Sequence, residues 1–345
     1  MQLFELFIFL IIFKTTICTD CQESVGINEN CKCSKCLPGL ICSPDDICVI
    51  DKGTCESQKW EEPRGLWTPC CDKDTGDYCP RQCKGEYRTG RCFCYNSKGS
   101  RIFGSAWWKD AANMTCACSR KREELKNSRP DLSIHCTENG NYDELQCDNG
   151  LCWCVVPETG KLVEKVYPES MMKLLPCYNE TKVGSQYLRQ CESKKISRAE
   201  ILDKLKKHGR PFAHIDDAFC DGDGSYGVYK LSKKVVFCTW KDSSRLDNYQ
   251  STTANILSMN CNCARDMRIY QENKMSLLLS CEGNGNYEKL QTSNGYPFCV
   301  DDDGYATTPL GPFGETCDFI SILVSMSSND KSIYFYLEFI NFLLK

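Results

Sequence analysis

Residues 136–155 read CTENGNYDELQCDNGLCWCV, and two cysteines of this stretch, Cys147 and Cys152, are missing from its later copies. Cys147 follows Tyr142 by five residues, and Cys152 follows Cys147 by five. Two later stretches keep the tyrosine and both spacings but not the cysteines: Tyr226 with Leu231 and Val236, and Tyr287 with Thr292 and Pro297. Because losing both partners of a bridge leaves no reactive thiol in an oxidising compartment, we predict that Cys147 pairs with Cys152. The same comparison reveals an internal repeat.

The amino terminus has the pattern of a secretion signal. Residues 1–17 are largely apolar and are followed by Cys18 and Thr19, with smallish residues where signal peptidase cuts. We therefore predict a signal peptide over residues 1–18 and a secreted, extracellular protein. A signal anchor is the alternative, but the apolar run is shorter than the ~20 residues that a membrane span needs.

Cysteine content indicates the structural class. The chain has 29 cysteines in 345 residues, and removing Cys18 with the signal leaves 28, an even number. In a secreted chain such a set forms disulfides. The cysteines fall into groups of six, eight, six, four and four. We predict small disulfide-rich modules, each bridged because its own core is too small to hold it together.

The spacing of these groups gives the expected domain boundaries. Two junctions, Cys116-Ala117-Cys118 and Cys261-Asn262-Cys263, leave almost no linker, and the segment between Cys177 and Cys191 is expected to be the one open linker. The predicted order is a signal peptide (1–18), a six-cysteine module (21–48), repeat 1 (55–116), repeat 2 (118–177), repeat 3 (191–261), repeat 4 (263–317) and a tail (318–345). For the tail, disorder, an amphipathic surface helix and a wrongly assigned gene end all stay open.

Repeat 2 resembles a thyroglobulin type-1 repeat. The motifs that carry the resemblance stand at fixed offsets: Gly140-Asn-Tyr142, Gln146-Cys147, Cys152-Trp153-Cys154-Val155, Gly160 and the closing Cys177. One departure is Ile134, where the family usually has proline. Repeat 1 follows the same plan with Phe93 in place of the tryptophan, and repeats 3 and 4 are degenerate copies. The resemblance implies tandem modules made of a short amino-terminal helix, a small β-hairpin or sheet, and mostly loops.

Local patterns add detail to that plan. Ser197 and Glu200 form a capping-box pattern before an apolar face, and Gly209 with Pro211 would end the helix. We expect a short helix just after the first cysteine of each repeat, as residues 120–126 also suggest. The glycines before the repeat tyrosines fit tight turns with positive φ, and Trp153 is expected in the core of its module.

The resemblance also implies the disulfide framework. Beyond Cys147 with Cys152, it implies these pairs: Cys118 with Cys136, Cys154 with Cys177, Cys191 with Cys220, Cys238 with Cys261, Cys263 with Cys281, and Cys299 with Cys317. In repeat 1 it implies that six cysteines are bridged: Cys55, Cys71, Cys83, Cys92, Cys94 and Cys116. The extra Cys70 and Cys79 would bridge each other or reach back to the amino-terminal module.

Catalysis, cofactors and nucleic acid find no support in the sequence. The even cysteine count leaves no thiol for a Cys/His pair, no nucleophile motif is present, and His135, His208 and His214 are best read as surface residues. The net charge is −4 and the sequence has no long basic run, so there is no extended positively charged segment to attract nucleic acid. We expect neither an enzyme nor a bound cofactor.

Metal binding is also disfavoured. Cys31, Cys33 and Cys36 could bind zinc, but disulfides are the better expectation in a secreted chain. The stretch that starts at Asp221 resembles a calcium loop, yet it lacks the glycine at its sixth position and the glutamate at its twelfth. N-glycosylation is possible at two acceptor triplets, which begin at Asn113 and Asn179, and Asn179 is the better candidate because it lies in the linker.

The resemblance implies two classes of function. Some thyroglobulin type-1 repeats reversibly inhibit papain-like cysteine proteases, so the expected partner is an extracellular or lysosomal protease of that class. Other repeats belong to matrix or growth-factor-binding proteins, so an extracellular scaffold, or a venom component with another target, is the alternative. For inhibition, repeat 2 would insert three loops into the protease cleft. The first loop is Leu125, Lys126, Asn127, Ser128, Arg129 and Pro130; the second is Asp148, Asn149, Gly150 and Leu151; the third is Val156, Pro157, Glu158, Thr159 and Gly160.

Overall fold

The computed structural model describes residues 23–61, 66–163, 165–213, 215–275, 279–308 and 317. The predicted signal peptide, Cys21, His214 and the tail lie outside the described residues. Among the described residues, no helix is both long and apolar enough to cross a membrane. The chain folds into small units that follow one another in sequence, each with its own short strands and disulfides.

The amino-terminal module is a pair of two-stranded sheets around buried disulfides. Strands β1 and β2 pair in parallel and β3 and β4 pair antiparallel. Their bounds are β1 (Ser24–Val25), β2 (Lys35–Cys36), β3 (Leu40–Cys42) and β4 (Cys48–Ile50). Cys31 bonds to Cys42 and Cys36 to Cys48, and Cys33 is bridged as well. The sulfur atoms of Cys31, Cys36 and Cys48 lie close together, but all three are in disulfides and offer no thiolate to a zinc ion.

Each repeat consists of a helix followed by an antiparallel hairpin, which in repeats 1 to 3 gains a third strand. Repeat 1 has α1 (Gln58–Glu61), β5 (Arg81–Lys84), β6 (Arg91–Tyr95) and β7 (Arg101–Trp107). Repeat 2 has α2 (Ala117–Leu125), β8 (Leu145–Asp148), β9 (Leu151–Cys154) and β10 (Tyr167–Pro168). A one-turn helix, α3 (Glu180–Val183), follows. Repeat 3 has α4 (Gln190–Lys207), β11 (Tyr229–Ser232), β12 (Val235–Thr239) and β13 (Arg245–Thr252). Repeat 4 has α5 (Asn262–Glu272), β14 (Leu290–Ser293) and β15 (Tyr296–Cys299).

The helices begin earlier than the sequence suggests. In repeats 2, 3 and 4 the helix starts one residue before the first cysteine, so this cysteine lies inside the first turn. The predicted capping box at Ser197 and Glu200 is wrong, because α4 already begins at Gln190. Its first turn is capped instead by Glu192, whose carboxylate accepts a hydrogen bond from the Arg189 amide at 3.1 Å. The helix ends as expected, with Gly209 at φ +78° after the last turn.

The structure bridges the repeat cysteines in the pairs given above, and within the described residues no bridge joins one repeat to another. Repeat 1 contains Cys55–Cys71, Cys83–Cys92 and Cys94–Cys116. Cys70 bonds to Cys79, which decides between the two alternatives for these extra cysteines. Cys147 and Cys152 lie directly opposite each other in the β8–β9 hairpin, with a Cα–Cα distance of 4.1 Å.

A buried glutamine ties the hairpin to the segment before it in repeats 1, 2 and 4. In repeat 2 the Gln146 side chain accepts a hydrogen bond from the His135 amide and donates to the His135 and Asp143 carbonyls, at 2.6 to 2.9 Å. Gln82 and Gln291 make the corresponding bonds in repeats 1 and 4. This side chain thus satisfies backbone groups that the small core cannot otherwise pair.

Consecutive repeats dock in the same way in both halves of the chain. Gly140 of repeat 2 has φ +82° and lies so close to the sulfur of Cys94 in repeat 1 that a Cβ would overlap it. Gly285 of repeat 4 lies against Cys238 of repeat 3 with φ +85°. Positive φ at both glycines is as predicted, but the tight approach to the preceding repeat is an additional reason for glycine there. Repeats 1 and 2 therefore form one pair, and repeats 3 and 4 form a second pair of the same design.

The segment between the two pairs is packed, and the expectation of an open linker is wrong. Tyr178, Val183, Tyr187 and Leu188 pack against the core of repeat 2. The Tyr187 ring stacks on His135 with 4.2 Å between ring centroids. Aromatic burial of this kind adds apolar area that a sixty-residue module lacks on its own.

Trp153 is half-buried rather than a core residue, and it lies on the face of the β8–β9 sheet that it shares with Gln146. Leu145, Cys147, Cys152 and Cys154 point to the opposite face and form the core there. Phe93 holds the same position in repeat 1 and is 0% exposed. The difference arises because repeat 4 covers that face of repeat 1.

Candidate functional site

The second loop of repeat 2 is a two-residue hairpin turn. Asn149 and Gly150 adopt φ of +50° and +74°, which is the geometry that an Asn-Gly sequence favours between antiparallel strands. Asn149, Gly150 and Leu151 are exposed, and the Leu151 side chain is 47% exposed. The Cys147–Cys152 bridge closes the hairpin immediately below the turn. The loop is therefore both exposed and held in one conformation.

The first loop lies beside the second. Arg129 donates a hydrogen bond to the Asp148 carboxylate at 2.8 Å, and Ser133 donates to the Cys147 carbonyl at 2.8 Å. The hydrogen bonds to Asp148 and Asp131 raise the pKa of Arg129, so the guanidinium stays charged. Lys195 of repeat 3 donates to the carbonyl of Pro130 at 3.0 Å. These contacts hold residues 125–130 against the second loop.

The structure does not bring the third loop to the same end. Residues 156–160 follow β9, so they lie at the end of the hairpin opposite to the Asn149-Gly150 turn. The Pro157 carbonyl accepts a hydrogen bond from the Tyr142 amide, and the Glu158 carbonyl accepts one from Thr115 at the junction with repeat 1. Four strand residues separate the two ends by about 13 Å. This loop therefore stabilises the junction between repeats 1 and 2.

A different segment lies beside the second loop and was missed by sequence reasoning. Strand β10 pairs Pro168 with Leu151, and the Glu169 amide donates to the Gly150 carbonyl at 2.8 Å. A 3-10 helix, Glu169–Leu174, starts there and carries two exposed apolar side chains, Met171 and Leu174. Leu174 is 64% exposed. The sequence signal that could have identified this segment is the apolar run between Cys154 and Cys177. A small module cannot bury all of these side chains, and exposed apolar side chains often mark a binding surface.

These three segments form one continuous edge. We call it the repeat 2 edge: residues 125–130, residues 148–151 and residues 168–174. It combines a charged pair, a rigid turn and apolar side chains. Rigid loops with exposed apolar anchors suit insertion into a cleft on another protein, because they lose little conformational entropy on docking.

Two of the three histidines can be placed. His135 is buried, and the surface assignment is wrong for it: its Nε2 atom lies 2.7 Å from the Glu192 carboxylate, and its ring stacks on Tyr187. His208 is exposed, as expected. His135 therefore belongs to the contact between repeats 2 and 3 rather than to a reactive site.

A large cavity lies among the four repeats. It has a volume of about 1850 Å³, and all four repeats contribute to its walls. Charged side chains on its wall are paired across repeats, for example Lys241 with Glu138 at 2.7 Å and Arg265 with Asp221 at 2.5 Å. These charges are used to hold the repeats together.

The two predicted glycosylation sites both lie at the surface. Asn113 and Asn179 are exposed. Asn179 also caps α3, since its side chain accepts a hydrogen bond from the Thr181 amide at 3.0 Å. Modification of either residue stays a prediction.

The fold and the repeat 2 edge define a class of protein: a tandem array of small disulfide-bridged modules with exposed, rigid loops. The profile of the thyroglobulin type-1 repeat matches residues 51–116 and 117–173. The chain is 31% identical over 188 residues to equistatin of Actinia equina, an alignment that covers 50% of this chain and 69% of that protein. The chain belongs to the thyroglobulin type-1 repeat family.

Two further relatives share parts of the chain. It is 31% identical over 117 residues to human thyroglobulin, covering 32% of this chain but only 4% of that protein. It is 27% identical over 124 residues to U20-hexatoxin-Hi1a of Hadronyche infensa, covering 33% of this chain and 81% of that protein. The similarity to thyroglobulin is therefore a similarity of repeats and not of whole proteins.

Proposed function

We propose that this protein is a secreted, reversible inhibitor of papain-like cysteine proteases and that it binds through the repeat 2 edge. The observation that carries the proposal is the exposed Asn149-Gly150 turn, braced below by the Cys147–Cys152 bridge and tied to the first loop through Asp148 and Arg129. Similarity to equistatin across 69% of that protein's length supports the choice of an inhibitor. Disulfides throughout the chain support secretion.

Inhibition without cleavage needs a loop that cannot relax into an extended, cleavable strand. In repeat 2 the backbone at Asn149 and Gly150 is fixed by the turn and by the bridge. The Glu169 amide additionally holds the Gly150 carbonyl. A protease that closes on this edge therefore meets a chain whose geometry does not fit the extended form of a substrate.

The other repeats present weaker candidates. In repeat 1 the loop between Cys83 and Cys92 is longer, and the strand residues at its base, Lys84 and Arg91, are buried beneath repeat 4. Repeat 3 places Lys233 at positive φ, a conformation that lysine adopts less readily than asparagine or glycine. Repeat 4 has the same Asn-Gly turn at Asn294 and Gly295 but lacks the bridge. Its hairpin is therefore the natural control for the importance of the bridge and the neighbouring segments.

The proposal is tested with the full secreted chain titrated against papain. Replacing residues 149–151 by Gly-Ser-Gly keeps Cys147, Asp148 and Cys152, and should weaken inhibition at least about 100-fold, as expected for the loss of a central binding loop. The matched control replaces residues 294–296 by Gly-Ser-Gly in repeat 4 and should inhibit like the unaltered chain.

Two results would contradict the proposal. If both loop variants inhibited equally, the second loop of repeat 2 would not be the binding element. If the unaltered chain failed to inhibit papain and related proteases, the extracellular scaffold or another venom-type target would become the better account of the same fold.

A further inference from the structure

Repeat 1 and repeat 4 meet through a buried set of charges. Repeat 1 provides three cations on one face of its sheet, and repeat 4 provides three aspartates from the start of α5 and from the turn after β15. The pairs are Lys84 with Asp301 and Asp303 at 2.7 Å each, Arg91 with Asp266 at 2.5 Å, and Arg101 with Asp266 at 3.1 Å and Asp303 at 3.3 Å. We call this set the 1–4 contact.

These groups are removed from water. The Lys84 and Arg91 side chains are each 3% exposed, and Asp266 and Asp303 are 0% and 2% exposed. Tyr95 also donates a hydrogen bond to Asp303. A buried charge without a partner is costly, so each half of the 1–4 contact requires the other half.

Aromatic side chains surround the charges. Phe93 of repeat 1 packs edge-on against Tyr305 of repeat 4 with 6.0 Å between ring centroids, and Trp107 packs against Tyr270 at 5.7 Å. The Arg101 guanidinium lies 4.2 Å from the centre of the Phe93 ring. The contact thus combines aromatic packing with complementary charged pairs, which is the composition of a specific protein interface.

A second contact joins the same two halves. Between repeats 2 and 3, His135 bonds to Glu192, and the Cys136 amide donates to the Gly222 carbonyl at 2.9 Å. No disulfide that the structure describes crosses from residues 55–177 to residues 191–317. Among the described residues, the segment 178–190 is the covalent connection between the halves, and their other contacts are non-covalent.

We infer that repeats 3 and 4 act as a docking partner for repeats 1 and 2, and that the two halves remain bound to each other when the segment between them is cut. The acidic face of repeat 4 is the partner that the cationic face of repeat 1 fits. This role gives the degenerate repeats a use that does not depend on their loops: repeat 4 has lost its hairpin bridge but carries Asp266, Asp301 and Asp303 at the contact. The inference does not rest on the proposed protease inhibition.

The test uses the full chain with a recognition sequence for a site-specific protease inserted between Gly184 and Ser185. Ser185 is exposed, and the insertion lies between the packed residues Val183 and Tyr187 without replacing either. After cleavage, under non-reducing conditions and at micromolar concentration, the two halves should elute together from a sizing column. Separate elution of correctly bridged halves would overturn the inference.

Adjacent aspartates provide a matched pair of variants. Asp303→Asn leaves Lys84 and Arg101 short of a buried carboxylate and should raise the dissociation constant of the cleaved halves about 100-fold or more. Asp302→Asn changes a side chain that is 74% exposed and pairs within its own repeat, so association should be unchanged. If the two variants behaved alike, the 1–4 contact would not determine the association.

Misfolding of repeat 4 is controlled from the other side of the interface. Lys84→Met leaves repeat 4 unaltered and removes the cation that bonds to both Asp301 and Asp303. It should weaken association as Asp303→Asn does. Retention of full association by Lys84→Met would contradict the inference even if Asp303→Asn failed to fold.

Discussion

Leu231 lies directly opposite Val236 in the β11–β12 hairpin, at the pair of positions that Cys147 and Cys152 occupy in repeat 2. Val236 is fully buried beside the Cys238–Cys261 bridge. An apolar pair has therefore taken the place of a disulfide without any change in strand register. Thr292 and Pro297 stand in the same relationship in repeat 4.

Restoring the bridge should be possible because the backbone geometry has been retained. Leu231→Cys with Val236→Cys should form a disulfide in the secreted protein. Mass spectrometry should then show that the two new cysteines are alkylated only after reduction. Closing so short a loop stabilises a fold by roughly 2 kcal/mol at most. The single variant Leu231→Cys must alkylate without reduction. A double variant that alkylated as readily would show that the two positions are not opposed.

Gln146 should contribute substantially to stability because its side chain is buried and hydrogen-bonded to the backbone. Gln146→Ala leaves the His135 amide and the Asp143 carbonyl without their partner in a buried site, while the His135 carbonyl keeps the hydrogen bond from the Asp143 amide; the loss costs about 2 to 3 kcal/mol. Native-state hydrogen exchange of the β8–β9 amides measures this as a lower opening free energy. Lys230 holds the equivalent position in repeat 3 and is only partly buried, so Lys230→Ala should change the β11–β12 amides by less than about 0.5 kcal/mol. Equal effects would contradict the assigned role of the glutamine.

Acid should weaken the 1–4 contact only at low pH. Burial alone would raise the pKa of Asp266, but the charges of Arg101 and Arg91 lower it to about 2. An aspartate in an unfolded chain has a pKa of about 3.9. The stabilising contribution is therefore fully present above about pH 4.5 and is lost as the pH falls toward 2.

The measurement is the unfolding free energy of the chain and of Asp266→Asn as a function of pH. The unfolding free energy of the unaltered chain should exceed that of Asp266→Asn by a constant amount from pH 7 to about pH 5. This difference should shrink by about 2 to 3 kcal/mol by pH 2. Because both chains carry all other carboxylates, their difference isolates Asp266. A difference that already changed between pH 7 and pH 5 would contradict the charge assignment.

The modular fold was predictable because its determinants are local. Cys147 and Cys152 lie five residues apart, and their joint absence from the later repeats identifies them as partners. The glycine before each repeat tyrosine likewise indicates a turn, and this turn lies only a few residues before the strand that follows it. Helix starts were less predictable. The spacing of Ser197 and Glu200 matched a capping box, but the residue that caps α4 is Glu192, eight residues before the end of that pattern.

Burial at the contacts between repeats was not predictable. Phe93 and Trp153 occupy the same position in their repeats, yet only Phe93 is fully buried, where it packs against Tyr305 of repeat 4. His135 is buried for the same kind of reason, through Glu192 of another repeat. The third loop was misplaced because sequence order alone does not show that residues 156–160 and residues 149–150 lie at opposite ends of one hairpin.

Amide hydrogen exchange of the full chain, with and without papain, tests the central claim most directly because it maps the binding surface without any substitution. Papain should slow exchange at the repeat 2 edge, in residues 125–130, 148–151 and 168–174. The hairpin turns of the other repeats and residues 156–160 should exchange at unchanged rates. Protection confined to a different repeat, or to residues 156–160, would contradict the account.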